Sequence, residues 1–287
     1  MSRIAYVNGR YVPHGEAAVH VEDRGYQFSD GVYEVVLVHR GRLVDEEPHL
    51  DRLDRSLSEL RIEQPMPRAP LRQVMREMIR RNRISDGIVY IQATRGVARR
   101  DHPFPKNTRP ALVMTARRLA MPDRAKAEEG AAVVTIPDIR WTRRDIKSVS
   151  LLPNVLGKQT AREAGAYEAW QVDADGYVTE GTSTNAWIVT PDGELVTRHL
   201  GEQILSGVTR LSLIRLAREA GVTLVERAFT VAEAKAAREA FVTSATSFVT
   251  PVTRIDDTVI GNGRAGSVTM QIFDAYIGYT AGDGASR

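Results

Sequence analysis

Apolar positions mark out the first elements of the chain. Between residues 31 and 39, Val32, Tyr33, Val35, Val36, Leu37 and Val38 make a β-branched-rich run that predicts a mostly buried strand, and a shorter strand is predicted at residues 4–8. After Pro48 the period changes. Leu50, Leu53, Leu57 and Leu60 fall three and four apart, one apolar stripe of a helix over residues 49–61, with Arg52 and Arg55 off the stripe. A second helix over residues 71–82 turns Val74, Met75, Met78 and Ile79 inward, and Arg76, Arg80, Arg81 and Arg83 read as its wet face. Strands follow at residues 88–94 and 111–116. The polar, proline-bearing stretch 95–110 between them is long for an ordinary connection, and long ordered loops are often functional.

The stretch 117–129 contains Pro122, Asp123 and several charges and is the best candidate linker, which places a boundary near residue 121 and gives two domains, 1–120 and 121–287. Beyond it, strands are predicted at residues 131–136, 148–152, 167–172, 177–179, 186–190 and 194–197, with Asp175-Gly176 and Asp192-Gly193 as turn punctuation. Helical patterns fill residues 155–165, 207–221, 231–239 and 268–279. Strands cluster in runs with helices between them, so the fold class is mixed α+β rather than a doubly wound parallel sheet.

Composition narrows the function classes. A chain of 287 residues, 43% hydrophobic and 26% charged, has room for two modest cores. Its net charge of +3 comes from 39 basic and 36 acidic residues spread along the chain, with no basic arm, so nucleic-acid binding is not expected. No cysteine occurs, which excludes disulfides, thiolate metal sites and a cysteine nucleophile and suits a reducing compartment; cytoplasm is the expected location. The first residues lack the apolar core of a signal peptide. Apolar runs such as 35–38 and 131–136 fall far short of the roughly 20 residues that span a bilayer, so no membrane association is expected. The histidines show no two-His helical spacing, and no metal is expected. Nor is there a Gly-x-Gly-x-x-Gly after a strand, a P-loop or a Gly-x-Ser-x-Gly.

Four segments could carry chemistry. Lys147, read in a strand, shares a face with Val149 and Leu151, where desolvation would favour the neutral amine that a Schiff-base lysine needs; the alternative is a strand-end lysine that snorkels to water. Gln203 to Arg210 opens a helix whose free amides, with Ser206, Gly207 and Thr209, suit a phosphate, or simply form a serine cap. Glu180, after a strand and before Gly181 and a cluster of hydroxyl residues, could bond a ring nitrogen or be a turn glutamate. Arg95, Arg99, Arg100 and His102 suit a substrate carboxylate, or line a basic surface loop.

The order of these segments resembles the fold type IV pyridoxal phosphate enzymes, and among them the D-amino acid transaminases, from about Tyr6 to Ile277. The resemblance is carried by the stretch from Glu22 to Val35, by Pro48-His49-Leu50-Asp51-Arg52-Leu53, and by Asp138-Ile139-Arg140-Trp141 followed by Asp145-Ile146-Lys147-Ser148. Val178-Thr179-Glu180-Gly181, Leu205-Ser206-Gly207-Val208-Thr209-Arg210 and Phe241-Val242-Thr243-Ser244 complete it. The resemblance implies a two-domain α+β architecture: a smaller N-terminal α/β sandwich and a β-barrel-like C-terminal domain with helices that carries the cofactor lysine. It implies pyridoxal 5'-phosphate as cofactor, amino acids and 2-oxo acids as substrates, and a homodimer. By position, it makes Lys147 the Schiff-base and proton-shuttling lysine. It pairs Glu180 with the pyridine nitrogen, sets Arg140 near the phenolic oxygen and lays Leu205 beneath the ring. Arg52 and the amides of Val208 and Thr209 would hold the phosphate, and Tyr33, Arg100 and His102 would trap the substrate α-carboxylate.

Two departures stand out. A threonine usual in the family is replaced by Ala245, leaving Ser244 or Thr246 to supply that phosphate donor, and Phe248 stands where an acidic residue is common. The rival activities on the same fold are branched-chain L-amino acid transaminase, R-selective amine transaminase and aminodeoxychorismate lyase. A non-catalytic pyridoxal phosphate-binding protein is the rival from another class.

Overall fold

In the computed structural model, which describes residues 3–282, the apolar run at residues 31–39 forms a central strand of an antiparallel sheet. The first unit runs to Met121 and includes Ile146–Ser150. Its elements are β1 (Ile4–Val7), β2 (Arg10–Pro13), α1 (Arg24–Phe28), β3 (Gly31–His39), β4 (Arg42–Leu43), α2 (Glu46–Glu59), α3 (Arg68–Asn82), β5 (Gly87–Thr94) and β6 (Ala111–Arg118). The strand order is β2-β1-β6-β5-β3-β4, with every pair antiparallel. Alternation decides which side is covered. Val32, Val36 and Val38 of β3 and Val89, Ile91 and Ala93 of β5 share a core with Leu50, Leu53 and Leu57 of α2 and Leu71, Met75 and Met78 of α3.

The second unit comprises Pro122–Asp145 and the chain from Leu151 onward. It contains α4 (Arg124–Glu129), β7 (Ala131–Pro137), α5 (Leu152–Glu163), β8 (Glu168–Val172), β9 (Val178–Gly181), β10 (Asn185–Val189) and β11 (Leu195–Thr197). It continues through α6 (Val208–Glu219), β12 (Leu224–Glu226), α7 (Val231–Lys235), β13 (Glu239–Ser244), β14 (Phe248–Ile255), β15 (Thr258–Val259) and α8 (Ser267–Ala281). Its sheet runs β12-β11-β10-β13-β14-β7-β8-β9, with β15 on β14. The β7/β8, β7/β14 and β11/β12 pairs are parallel. β9 also packs against β10, so the sheet curls toward closure. Trp170, Val178, Ile188, Phe229, Val242 and Val252 share one core cluster, and Trp187 stacks on its cross-strand partner Phe241 at 5.4 Å.

Three expectations change. The strand expected at residues 148–152 reduces to one bridge, Ser148 with Val32, because Leu152 already opens α5, with Pro153 in its first turn where a missing N–H costs nothing. Residues 117–129 are not an open linker: β6 continues to Arg118, and Asp123 caps α4 by accepting from Ala125 N at 3.0 Å. Lys147, expected in the C-terminal domain, groups with the first unit. Its segment is hydrogen-bonded to β3 and its neighbour Ile146 is buried in that unit's core.

Candidate active site

Successive residues of β3 point to opposite faces, and candidate groups occupy both. On the core face Glu34 stands in register between Val32 and Val36 and is fully buried. An isolated carboxylate there would be very costly. α2 supplies the compensation: Arg52 donates Nε to Glu34 Oε1 at 2.7 Å and Nη2 to Oε2 at 2.8 Å. One helical turn earlier His49 donates from Nδ1 to Oε2 at 2.8 Å. Burial acts to raise the Glu34 carboxyl, but the Arg52 charge and the bonds from Arg52 and His49 hold it well below the usual carboxylate range. Burial lowers His49 despite Glu34, which favours the neutral ring.

On the opposite face Tyr33 stacks on Tyr90 at 5.7 Å, and the Lys147 ammonium lies 4.3 Å from the Tyr33 ring centroid. Burial, with Tyr33 as a lesser cause, pushes the Tyr90 phenol up to about 12. The main chain around Lys147 is tied on both sides. Tyr33 N donates to Lys147 O and Val149 N to Gly31 O, each at 3.0 Å, while Lys147 N donates to Ser56 Oγ at 3.3 Å. The side chain itself is half-buried, and its segment is an irregular crossing of β3 rather than a strand.

Arg100 and His102 meet on a third residue, Phe28 at the end of α1. The Arg100 guanidinium carbon is 5.0 Å from the Phe28 ring centroid, the His102 ring 5.5 Å, and both side chains are exposed. Tyr33, grouped with these two in sequence, instead keeps company with Lys147 and Tyr90 within the unit.

In the second unit Arg140 and Glu180 form a buried ion pair, with Arg140 also donating to both Asp138 oxygens, at 3.0 and 2.8 Å. Thr179 Oγ1 donates to Asp138 at 2.7 Å. Burial opposes the Arg140 charge, yet Glu180 and Asp138 outweigh it and hold the guanidinium above its ordinary pKa. Burial pushes Glu180 up, with Arg140 and the Leu205 amide pulling the other way. Asn185, first in β10, donates Nδ2 to Glu180 Oε2 at 3.0 Å and to Leu205 O at 3.1 Å, and Leu205 N donates back to Glu180 at 3.2 Å. Glu180 and the segment before α6 are thereby fixed together. A Cβ on Gly207 would run into Asn185 Oδ1, so glycine lets this turn close, and as N-cap of α6 it contributes no side-chain cap to the first amides of Val208 and Thr209. Thr209 Oγ1 is 3.4 Å from the Tyr276 hydroxyl.

Ser244 ends β13, and residues 245–247 form the tip of the hairpin to β14. Ser244 Oγ accepts from Thr246 N at 3.3 Å and Ser247 N at 3.0 Å, so the hydroxyl also shapes the turn. Phe248 pairs with Ser244, directly after the tip, at φ +54° in the left-handed region, and packs edge-on against Tyr276. Among the described residues no three or more acidic or histidine side chains are grouped to hold a metal, and no helix is long and apolar enough to cross a membrane.

The model of the family described as amino-transferase class IV matches residues 31–255, three quarters or more of the chain. The chain belongs to the class IV aminotransferases. This class IV aminotransferase is 40% identical to a D-alanine aminotransferase of Bacillus licheniformis over 265 residues, covering 92% of this chain and 93% of that protein. It is 39% identical to a D-alanine aminotransferase of Staphylococcus aureus (strain N315) over 276 residues, 95% and 97% of the two chains. Among solved structures it is similar to the Escherichia coli branched-chain amino acid aminotransferase, with a TM-score of 0.90 and 25% identity over 99% of this chain and 96% of that one. A T.th. branched-chain amino acid aminotransferase with pyridoxamine 5'-phosphate gives a TM-score of 0.90 and 26% identity over 98% and 95%. Four residues given no role from sequence now have structural work in this aminotransferase: Glu34, His49, Asp138 and Asn185. A legible signal existed for Glu34 alone, a carboxylate at a core-register position inside an apolar strand.

Proposed function

We propose that this class IV aminotransferase moves amino groups between D-amino acids and 2-oxo acids with pyridoxal 5'-phosphate as cofactor, D-alanine and 2-oxoglutarate being one donor and acceptor pair. The observation that carries the specificity is the 38–40% identity to D-alanine aminotransferases over more than nine-tenths of both chains. The residues present fit the cofactor. A carboxylate has about four acceptor positions; Glu180 receives Arg140, Asn185 and Leu205 N, which leaves capacity for a protonated ring nitrogen. The α6 amides without a side-chain cap suit a phosphate, as does the guanidinium of Arg52 oriented by Glu34.

When bound, the cofactor supplies an aldehyde carbon to carry the amino group and a ring to take up the electron pair released as the substrate α C–H bond breaks. Lys147 Nζ would hold that carbon covalently and would carry the substrate α-proton. Glu180 would accept the ring N–H and so keep that nitrogen protonated. Arg140 would serve the phenolic oxygen and Leu205 the ring, and Arg52, Ser244 and the amides of Val208 and Thr209 would hold the phosphate. Tyr33, Arg100 and His102 orient the substrate carboxylate. The reaction runs in two halves, donor in and 2-oxo acid out, then acceptor in and amino acid out. A homodimer in the cytoplasm completes the reading, in keeping with the exposed apolar side chains Val19, Val21, Tyr26 and Phe104.

The test is a panel of D-alanine, L-alanine, D-glutamate, L-leucine and a simple chiral amine with 2-oxoglutarate as acceptor. We expect turnover on the D-acids that a Lys147→Ala variant loses. A preference for L-leucine would instead follow the branched-chain structures, and a coloured protein inert to every donor would mark a binding protein.

A further inference from the structure

Beside Phe28 lies a buried charge network that no step above uses. Arg24, first residue of α1, is 4% exposed and donates Nε to Asp30 at 2.8 Å. Arg95 donates Nε and Nη2 to the two Asp30 oxygens at 2.7 and 2.9 Å and also reaches the carbonyls of Arg61 and Leu60. Asp30 therefore serves two guanidinium groups at once. Arg95 spends its remaining donors on the end of α2, whereas Arg24 turns outward to the exposed loop, donating Nη1 to Asp101 O at 2.6 Å and Nη2 to His102 O at 3.2 Å.

The loop is pinned upstream as well. Val97 bridges Asp23 and Ala98 N donates to Glu22 O at 3.3 Å. Arg99 and Arg100 thus span the gap between two anchors, one made by strand-like pairing and the other by a single guanidinium. The same Arg24 guanidinium lies 4.8 Å from the Phe28 ring that Arg100 and His102 approach. Among the described residues, ring contacts hold the loop only at Phe28 and, further along, where Phe104 packs over Arg95 and Arg61; the exposed main chain at Asp101 and His102 is left to polar anchoring. A fork of donors fixed by a buried carboxylate can supply it.

We propose that Arg24, set by Asp30, is a positioning residue for substrate specificity: by clamping the main chain at Asp101 and His102 it presents Arg100 and His102 in one arrangement for the substrate carboxylate. This rests on the reading of Arg100 and His102 as the carboxylate grip. Arg24 touches no reacting atom. Its loss loosens the grip and leaves Lys147 and Glu180 as they are.

The experiment uses the holoenzyme and the variant Arg24→Lys, which keeps a positive charge beside Asp30 but lacks the fork for two carbonyls. We expect KM for D-alanine to rise about three- to tenfold, the range of one or two lost hydrogen bonds, with kcat within about twofold. Trypsin should cut after Arg99 and Arg100 faster than in the wild type. In a background where both grip residues are removed, Arg100→Gln with His102→Ala, the Arg24→Lys change should add nothing further to KM, since a residue that acts through those two is silent without them. Should Arg24→Lys fold poorly, Arg24→Gln serves, because Asp30 keeps Arg95.

If Arg100→Gln raises KM while the Arg24 variant changes neither KM nor proteolysis, the clamp is wrong and the grip stands. Effects that multiply independently overturn the clamp in favour of a general structural role. An Arg100→Gln enzyme with unaltered KM overturns the grip itself, and the clamp with it.

Discussion

Glu34 shows how one residue's position can commit its neighbours. Placed at a core register of β3, it obliges α2 to bring a cation and a donor to it, and Arg52 and His49 do so. Removing one partner of such a buried pair typically costs about 3–5 kcal/mol. Its titration has a definite sign. The folded pKa lies below the ordinary value of 4.5, so the unfolded chain binds the proton first as pH falls, and the stabilisation present above pH 4.5 is lost progressively below it. His49, also lowered from its ordinary 6.5, acts in the same direction from that pH downward. We expect Glu34→Gln to lower stability at pH 7, to flatten the acid limb of a stability-against-pH curve, and to weaken cofactor retention through a less firmly held Arg52. Denaturant titrations from pH 7 to about pH 3 check the first two, and a limb below pH 4.5 as steep as that of the wild type would remove Glu34 as its cause. Sequence alone offered Arg52, off its leucine stripe, but not what orients it, because a contact between residues 34 and 52 has no periodic signature.

At the scale of elements, the two leucine- and methionine-striped helices and strand β3 lie close to where their periodicity puts them, since each buries a face against its own unit. The stretch around Lys147 is different. It is held by main-chain bonds to β3 and by Ser56, partners distant in sequence, so no local pattern distinguishes it from a short strand. The start of α6 is an intermediate case: a helix with Ser and Gly before it was legible, but the role of Asn185 in closing the turn was not. This leads to a prediction for Gly207→Ala. The added methyl meets Asn185 Oδ1 and must displace either that side chain or the helix start. We expect the folded protein to survive, with cofactor affinity reduced about tenfold in a spectrophotometric titration of the apoenzyme. An unchanged dissociation constant would mean that the first turn of α6 takes no part in holding the cofactor.

For the molecule as a whole, the α+β class was readable because strands and helices alternate in runs, and the break near residue 121 because charge and proline gather there. The chain's return was not readable: Ile146–Ser150 sits beyond that break in sequence yet belongs to the first unit. Ile146 is buried in a core otherwise built from residues before 121, so Ile146→Ala should destabilise by about 2–4 kcal/mol. Hydrogen exchange on the intact protein should quicken in peptides covering residues 31–39 and 49–60 and leave 239–255 at its wild-type rate. Quickening confined to residues 131–137 would contradict the assignment.

The stitching on either side of Lys147 has one further consequence. With its peptide groups anchored to β3 and Ser56, the Lys147 amine has the bonds of its own side chain to turn about while its main chain stays held, like a crane arm on a bolted base. In the proposed role as Schiff-base lysine, its return to the resting state after turnover would then be a side-chain event and not a loop rearrangement.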